Sequence, residues 1–309
     1  MIKEGDGDRP QLAPISVIIV NHNAGALLGD CIQAVLGQVR EVIVVDNAST
    51  DDSLAPLRTQ ADQSVLRLIE SRQNLGFAAA CNLGVRTAQQ PYVLFLNPDS
   101  LPAPGTPARL LQVLQQHPEA GMVGGLLLNP DGSEQRGGRR ALPTPWRTFV
   151  GAFGLTRFSR CWPRLFFDFH LHRQPLPQHP ISVEAISGAL MLVRREAMEA
   201  VGPWDEGYFL HCEDLDWCLR FHQKGWDILF VPDAPVVHHQ GTSSRARPLF
   251  VAWHKHRGML RFYRKFFRQH YPGPLMWLVA AGVWLRFGLV AVHHMGRRIL
   301  DAVVGRRHD

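Results

Sequence analysis

A chain of 309 residues, 46% hydrophobic and without an internal repeat or low-complexity run, provides for one large domain plus an appendage. Its net charge of +6 comes largely from the last quarter of the sequence. The five cysteines, Cys31, Cys81, Cys161, Cys212 and Cys218, have no metal-binding spacing, which argues against zinc and for a reducing cytoplasm. Residues 1–14 are polar, lead into no apolar signal core, and read as a flexible N-terminus.

Ile15 to Asn21 is a continuous apolar run that stops at polar residues, as a buried parallel strand does, with Asn21 and Asn23 at its end. A helical pattern follows over Ala26 to Gln38, with Leu27, Leu28, Cys31, Ile32, Val35 and Leu36 on one side. Val42 to Val45 is a second apolar strand, ending at Asp46 and a run of turn formers. Val65 to Ile69 and Tyr92 to Leu96 repeat the theme, with a helix over about Ala78 to Ala88 between them. Strands alternating with helices imply βαβ units and an open parallel sheet, whose ligands bind at the carboxyl ends of the strands. Asp46 and Asn97-Pro98-Asp99 fall at two of those ends.

Between Asn129 and Pro180 the pattern is lost. Arg136, Arg139 and Arg140 read as a basic loop, and Trp146 to Phe169 as irregular and aromatic-rich. Ser187-Gly188-Ala189 precedes the apolar run Leu190 to Val193, and its small residues leave room for a ligand against the backbone. Phe209 to Arg220 opens a helix and packs Glu213, Asp214 and Asp216 into four residues. Acids in a first helical turn are favoured by the dipole, so a charged N-terminus explains them as well as a tuned general base does. A strand ending at Val236-Val237 sends the His238 and His239 rings to opposite faces.

Beyond Arg245 the only acids are Asp301 and Asp309. Arg257, Arg261, Arg264 and Arg268 recur at helical spacing, opposite an apolar stripe of Met259, Phe262, Tyr263, Phe266 and Phe267. A cationic helix with an aromatic face suits an anionic membrane surface. Leu275 to Val292 is apolar apart from Arg286, and as a helix reaches about 27 Å, barely a hydrocarbon core. A central arginine costs roughly 2.5–3.5 kcal/mol there, so the segment is expected to lie in the interface or at a subunit contact of a homo-oligomer.

The motifs Val44 to Asp51, Asn74 to Asn82 and Leu94 to Ser100 resemble those of the family-2 glycosyltransferases, in the bacterial rhamnosyltransferase-like branch. Ser187 to Arg195, Val201 to Glu206, Glu213 to Arg220 and His238 to Ser244 extend the resemblance in the same order. It implies a GT-A fold: a Rossmann-like, mostly parallel sheet flanked by helices over residues 15–245. The nucleotide-binding half is then 15–128, the acceptor and catalytic half 129–245, and 246–309 a helical region for membrane association or oligomerisation. It also implies an inverting transfer from a dTDP- or UDP-sugar, rhamnose favoured, assisted by Mg2+ or Mn2+. The acceptor would be a lipid-linked saccharide of the bacterial cell envelope, met at the cytoplasmic face of the membrane.

By the same resemblance Asp214 is the base and Glu213 its helper, and Asp46 accepts the imide N–H of uracil or thymine. Asn21, Asn23, Asn74, Gly76, Phe77, Asn97, Ser187, Gly188 and Ala189 line the nucleotide-sugar site, and Trp204 forms an apolar wall for the sugar. Asp99 and His238 hold the metal, with Asn97 standing where many GT-A enzymes have a first acid. The acidic motifs argue against nucleic acid as a partner. The two alternatives are a nucleic-acid-binding protein using its basic C-terminal region, and a catalytically inactive transferase-like scaffold.

Overall fold

A computed structural model describes residues 12–55, 57, 65–159, 161–162, 165–166, 171–239, 241 and 247–305. The expected flexible N-terminus up to residue 11, and Gln240, Thr242, Ser243, Ser244 and Arg245 of the later motifs, lie outside them. In chain order the elements are β1 (Ala13–Asn21), α1 (Leu27–Val35), β2 (Val39–Asp46), β3 (Leu66–Glu70), α2 (Phe77–Val85), β4 (Tyr92–Leu96) and β5 (Ser100–Pro102). Then come α3 (Thr106–Gln116), β6 (Ala120–Leu128), β7 (Arg139–Arg140), α4 (Pro145–Ala152), β8 (Ile181–Ser182), β9 (Ala185–Ile186), β10 (Leu190–Arg194) and α5 (Arg195–Val201). The chain closes with α6 (Glu213–Gln223), β11 (Asp227–His238), α7 (Pro248–Phe266) and α8 (Gly273–Gly305).

One mixed sheet runs in the order β3-β2-β1-β4-β10-β6-β11-β5, with β8 beside β11. The first four strands are parallel, as their alternation with helices demands. β10 is antiparallel to both β4 and β6, while β11 is parallel to β6. Only β5, β8 and β10 therefore oppose the common direction. Helices cover both faces, so the central strands carry apolar residues on both sides. Along β1, Val17 and Ile19 join the core under α1 and α3, while Ile18 and Val20 join the core under α2, α5, α6 and α7. Each such side chain contributes roughly 1.5–3 kcal/mol by leaving water. The first helix is shorter than its pattern, because Leu36 turns to an extended conformation and β2 starts at Val39.

The segment between Asn129 and Pro180 supplies β7, which pairs with β9, and the helix α4, capped by the Thr144 side chain on the Arg147 N–H. Arg139 is not part of a solvated basic loop. It is buried, ion-paired to Glu134 at 2.7 Å and donating to the Gln174 carbonyl at 2.9 Å. Trp146, Phe149, Phe153 and Trp162 remain exposed.

The aromatic stripe of α7 faces inward rather than toward a membrane. Phe262 and Tyr263 are fully buried in the core, and the Tyr263 hydroxyl meets Thr148 of α4 at 2.7 Å. Part of the basic face is also neutralised. Arg261 and Lys265 bind Asp205 at 2.8 and 2.7 Å, and Lys265 reaches the buried Asp216 at 2.7 Å. Desolvation works against the Asp205 anion, but hydrogen bonds from Lys265 and Arg261 outweigh it and hold the carboxyl at about 2. A further exposed apolar surface belongs to α8. Met276, Val279 and Val283 pack inward, Trp284 and Phe287 meet Trp253 of α7, and Trp277, Leu278, Leu285, Leu289 and Val292 face outward. By length and composition, Gly273–Gly296 is the one helix among the described residues able to cross a membrane.

Candidate active site

The site gathers at the carboxyl edge of β1, β2 and β4, where the loops after these strands meet the start of α6. Asp46 is buried at the end of β2. It accepts from Asn21 Nδ2 at 2.9 Å and from the Ser49 N–H at 3.0 Å, which leaves lone pairs for a further donor. Asn21 is fully enclosed and also donates to Ser53 Oγ at 2.8 Å. It braces Asp46 and does not line a pocket, because no solvent reaches it. Asn23 adopts a left-handed backbone and accepts from the Thr50 N–H at 2.7 Å, closing the turn after β2.

Asn74 does not cap α2. Its Oδ1 accepts from the Gly76 N–H at 2.9 Å and from Asn47 Nδ2 at 3.0 Å. Gly76 has φ 84°, and a Cβ there would lie 2.6 Å from the Phe209 carbonyl oxygen, so no other residue fits. Next to it the Phe77 N–H donates to that same oxygen at 2.9 Å. Trp204 is not a ligand wall. It is buried beneath Phe77, with ring centroids 5.8 Å apart, and tilts over Trp217 at 4.2 Å.

The Asn97-Pro98-Asp99 turn is tied to the loop before β10 by the Asn97 N–H, which donates to the Ala189 carbonyl at 3.1 Å. Pairing of β5 with β11 sets His238 opposite Ser100. His238 Nε2 then lies 3.2 Å from Asp99 Oδ1 and 3.4 Å from Asn97 Nδ2. His239 meets this turn through its backbone N–H, which donates to the Asp99 carbonyl at 2.9 Å. Gln135 fixes the proton on the His238 ring. Its amide nitrogen donates to the His238 carbonyl and to Asn129 Oδ1, both at 3.1 Å, so its Oε1 must face His238 Nδ1, at 2.6 Å. Nδ1 therefore carries a hydrogen, and Nε2 faces Asp99. Two lone pairs at this spacing repel unless a cation or a proton lies between them. One carboxylate and one imidazole fit Mg2+ or Mn2+ with the other positions left to water or phosphate oxygens. Among the described residues no group of three or more His, Cys, Asp or Glu side chains would hold a metal alone.

Two consecutive left-handed residues, His211 (φ 67°) and Cys212 (φ 71°), launch α6. For residues with a Cβ this geometry costs of order 1–3 kcal/mol each and persists only under constraint. The constraint is α7. A Cβ at Gly258 would lie 2.7 Å from the His211 carbonyl oxygen, and Cys212 Sγ approaches the Lys255 carbonyl at 3.8 Å. The turn aims Asp214 into the cleft. Its carboxylate is ion-paired with Arg140 and lies 3.4 Å from the Gly188 N–H. Gly188 sits between Asp214 and the Phe77 ring, so the Ser187–Ala189 loop touches the acid on one side and holds the Asn97 turn on the other.

Glu213 is buried, and its Oε2 has no partner. Burial first, and the Asp214 charge second, push its carboxyl up to about 8. At neutral pH the pair is thus one neutral acid beside one arginine-bound carboxylate. Asp216 is enclosed and held by Arg220 at 2.8 Å and by Lys265, which makes it a structural anion. Arg140, Gln135 and Asn47 escaped the sequence reading of the site. Asn47 and Arg140 stood inside segments read as turn formers and basic loop, and Gln135 carried no signal.

Glu213→Gln mimics the protonated acid. An unfolded glutamate ionises near 4.5 while the folded one holds its proton to about 8, so wild type loses stability as pH rises through that window. The variant does not. Its thermal midpoint should gain on wild type between those pH values and level off above, and a pH-independent difference would refute the shift.

Residues 16–202 match the Glycosyl transferase family 2 profile. The chain is 30% identical over 279 residues to the N-acetylglucosaminyl-diphospho-decaprenol L-rhamnosyltransferase of Mycobacterium tuberculosis, covering 86% of this chain and 89% of that one. It is also 30% identical to the rhamnosyltransferase WbbL of Escherichia coli, over 84 residues that make up 26% of this chain and 32% of that one. Among solved structures, the Pyrobaculum calidifontis mannosyltransferase PcManGT in complex with GDP-Man and Mn2+ superimposes with a TM-score of 0.56 at 19% identity, over 96% of this chain and 77% of that one. GalNAc-T7 with UDP, GalNAc and Mn2+ gives 0.55 at 18% identity, over 74% and 44%. These two share the GT-A fold. The chain belongs to glycosyltransferase family 2, in its rhamnosyltransferase-like branch, and is a glycosyltransferase.

Proposed function

We propose that the chain transfers a sugar, rhamnose by preference, from a dTDP- or UDP-linked donor to a lipid-linked saccharide, with inversion at the anomeric carbon. The product would enter a bacterial cell-envelope polysaccharide. The observation that carries this reading is the Ser187–Ala189 loop, which contacts Asp214 through the Gly188 N–H and holds the Asn97–Asp99 turn through the Ala189 carbonyl. A base and a diphosphate-anchoring turn on one loop are what displacement at an anomeric carbon requires. The mycobacterial relative, named for a diphospholipid acceptor and for rhamnosyl transfer, supports the choice of substrates.

Asp214 takes the proton of the acceptor hydroxyl while that oxygen bonds to the anomeric carbon and the bond to the nucleoside diphosphate breaks. Arg140 pairs with the carboxylate and aims it. Glu213, neutral at pH 7, spares the site a second negative charge. Asp46 offers its remaining lone pairs to the imide N–H of the base. Asp99 and His238 would hold Mg2+ or Mn2+, which supplies positive charge to stabilise the leaving diphosphate. The outward face of α8 and the exposed Arg264 and Arg268 would seat the enzyme peripherally on the inner face of the membrane. Docking of α8 along α7 supports a helix lying in the interface over one that spans it.

Asp99→Ala should abolish Mn2+-dependent donor binding in calorimetry, His238→Ala should weaken it, and His239→Ala should do less. Equal metal affinity in wild type and Asp99→Ala would sink the metal assignment.

Asp214→Asn should keep donor and metal binding yet lose turnover by a factor on the order of 10²–10⁴, the range for a positioned base. Near-normal turnover in a folded variant would remove Asp214 from that role.

Intact protein should co-sediment with anionic vesicles. Trp277→Glu with Leu285→Glu should release it, and Arg264→Glu with Arg268→Glu should weaken it most at low salt. Indifference of the intact protein to such vesicles would leave α8 as a subunit contact.

A further inference from the structure

Asp214 has different company on its two sides. Beyond Gly188 lies the Asn97–Asp99 turn. Beyond Arg140 stand further cations that this chemistry leaves unused. Lys255 stands there, on the turn of α7 that contacts Cys212. The Arg286 charge acts on Lys255 and on His256, and its chain neighbour Phe287 packs on His256, on that same turn of α7.

Lys255 and Arg286 are exposed, and neither side chain has a hydrogen-bond or ion-pair partner among the described residues. Desolvation nevertheless lowers the Lys255 ammonium from its ordinary value, and the charges of Arg286, Arg140 and Arg136 push the same way. Asp214 is bound to Arg140, whose Nε is buried without a partner. Like charges so placed repel one another unless an anion joins them. Arg286 belongs to the apolar helix α8, with Leu285 and Leu289 exposed on either side of it in sequence.

We infer that Arg140, Lys255 and Arg286 bind the diphosphate of a lipid-diphosphate acceptor, with one sugar reaching inward to Asp214 and the hydrocarbon chain lying along α8. The inference rests on the reading of the chain as a transferase to lipid-linked saccharides, and assigns the place where that acceptor is held. The order of groups in the ligand, hydroxyl, diphosphate and lipid, matches the order carboxylate, cations and apolar helix. The donor diphosphate would have its own anchor at Asp99 and His238, so the cation cluster requires no metal.

Farnesyl diphosphate is a suitable probe, with EDTA present to silence the metal turn. Wild type should bind it, and Lys255→Gln and Arg286→Gln should each weaken binding about tenfold or more, the size of a lost charge-assisted contact. Arg286→Lys should recover part of the loss. Both side chains are exposed, so thermal midpoints should hold and Mn2+-dependent donor binding should be unchanged. With a short prenyl-diphosphate sugar as acceptor, the acceptor KM should rise while the donor KM stays. Unchanged farnesyl diphosphate affinity in both variants would overturn the site, as would a requirement for Mn2+. Equal displacement by phosphatidylglycerol vesicles would overturn it in favour of a headgroup site. A wild type that binds the probe without metal through these residues, yet transfers to no lipid-linked acceptor, would refute the proposed reaction while upholding the site.

Discussion

The ion pair between Arg140 and Asp214 is what allows two adjacent carboxylates to sit at the start of a buried helix. A lone carboxylate in such a place is driven to take up a proton, and two would repel strongly. Arg140 resolves this asymmetrically. It pairs with Asp214 and leaves Glu213 to be driven toward its neutral form by burial. The partner comes from an insertion 74 residues away, through the small ladder of β7 with β9. The irregular segment is therefore required for the electrostatics of the site and is not a peripheral decoration.

A second constraint acts on the backbone. His211 and Cys212 hold a conformation that ordinary residues avoid, and α7 presses on them through the missing side chain of Gly258. Asp205 and Asp216 anchor α7 in turn, through Arg261 and Lys265. Acids that look catalytic in a list of residues are here divided. Asp214 faces the cleft, whereas Asp205 and Asp216 hold the helix that shapes it. Crowded charge near an active site is often shared in this way between chemistry and support.

Much of the nucleotide-side fold was legible because buried parallel strands are continuous apolar runs. Tyr92 to Leu96 coincides with β4, and β1 and β2 begin within three residues of their apolar runs. Strand direction was not legible. The apolar run Leu190 to Val193 looks the same whichever way it lies, and only the tertiary fold makes β10 antiparallel. Ordered motifs pointed to Asp99, His238 and the Glu213-Asp214 pair, but their neighbours were hidden by distance. Gln135 meets His238 across 103 positions, a separation that periodicity cannot bridge. Trp204 and the aromatic stripe of α7 failed for another reason. An aromatic ring suits a sugar, a bilayer or a core equally well, and only packing decides among them.

The contact of Gly258 with the start of α6 carries a mechanical consequence. α8 rests on α7 through Trp253 and His256, α7 rests on the His211 carbonyl, and the next turn bears Asp214. No flexible tether intervenes along this path. Whatever surface receives the outer side of α8 would meet Asp214 at a set stand-off. On the proposed reaction, selection among acceptors would then include a test of length, in which a hydroxyl held nearer to or farther from that surface would miss Asp214 whatever its chemical fit.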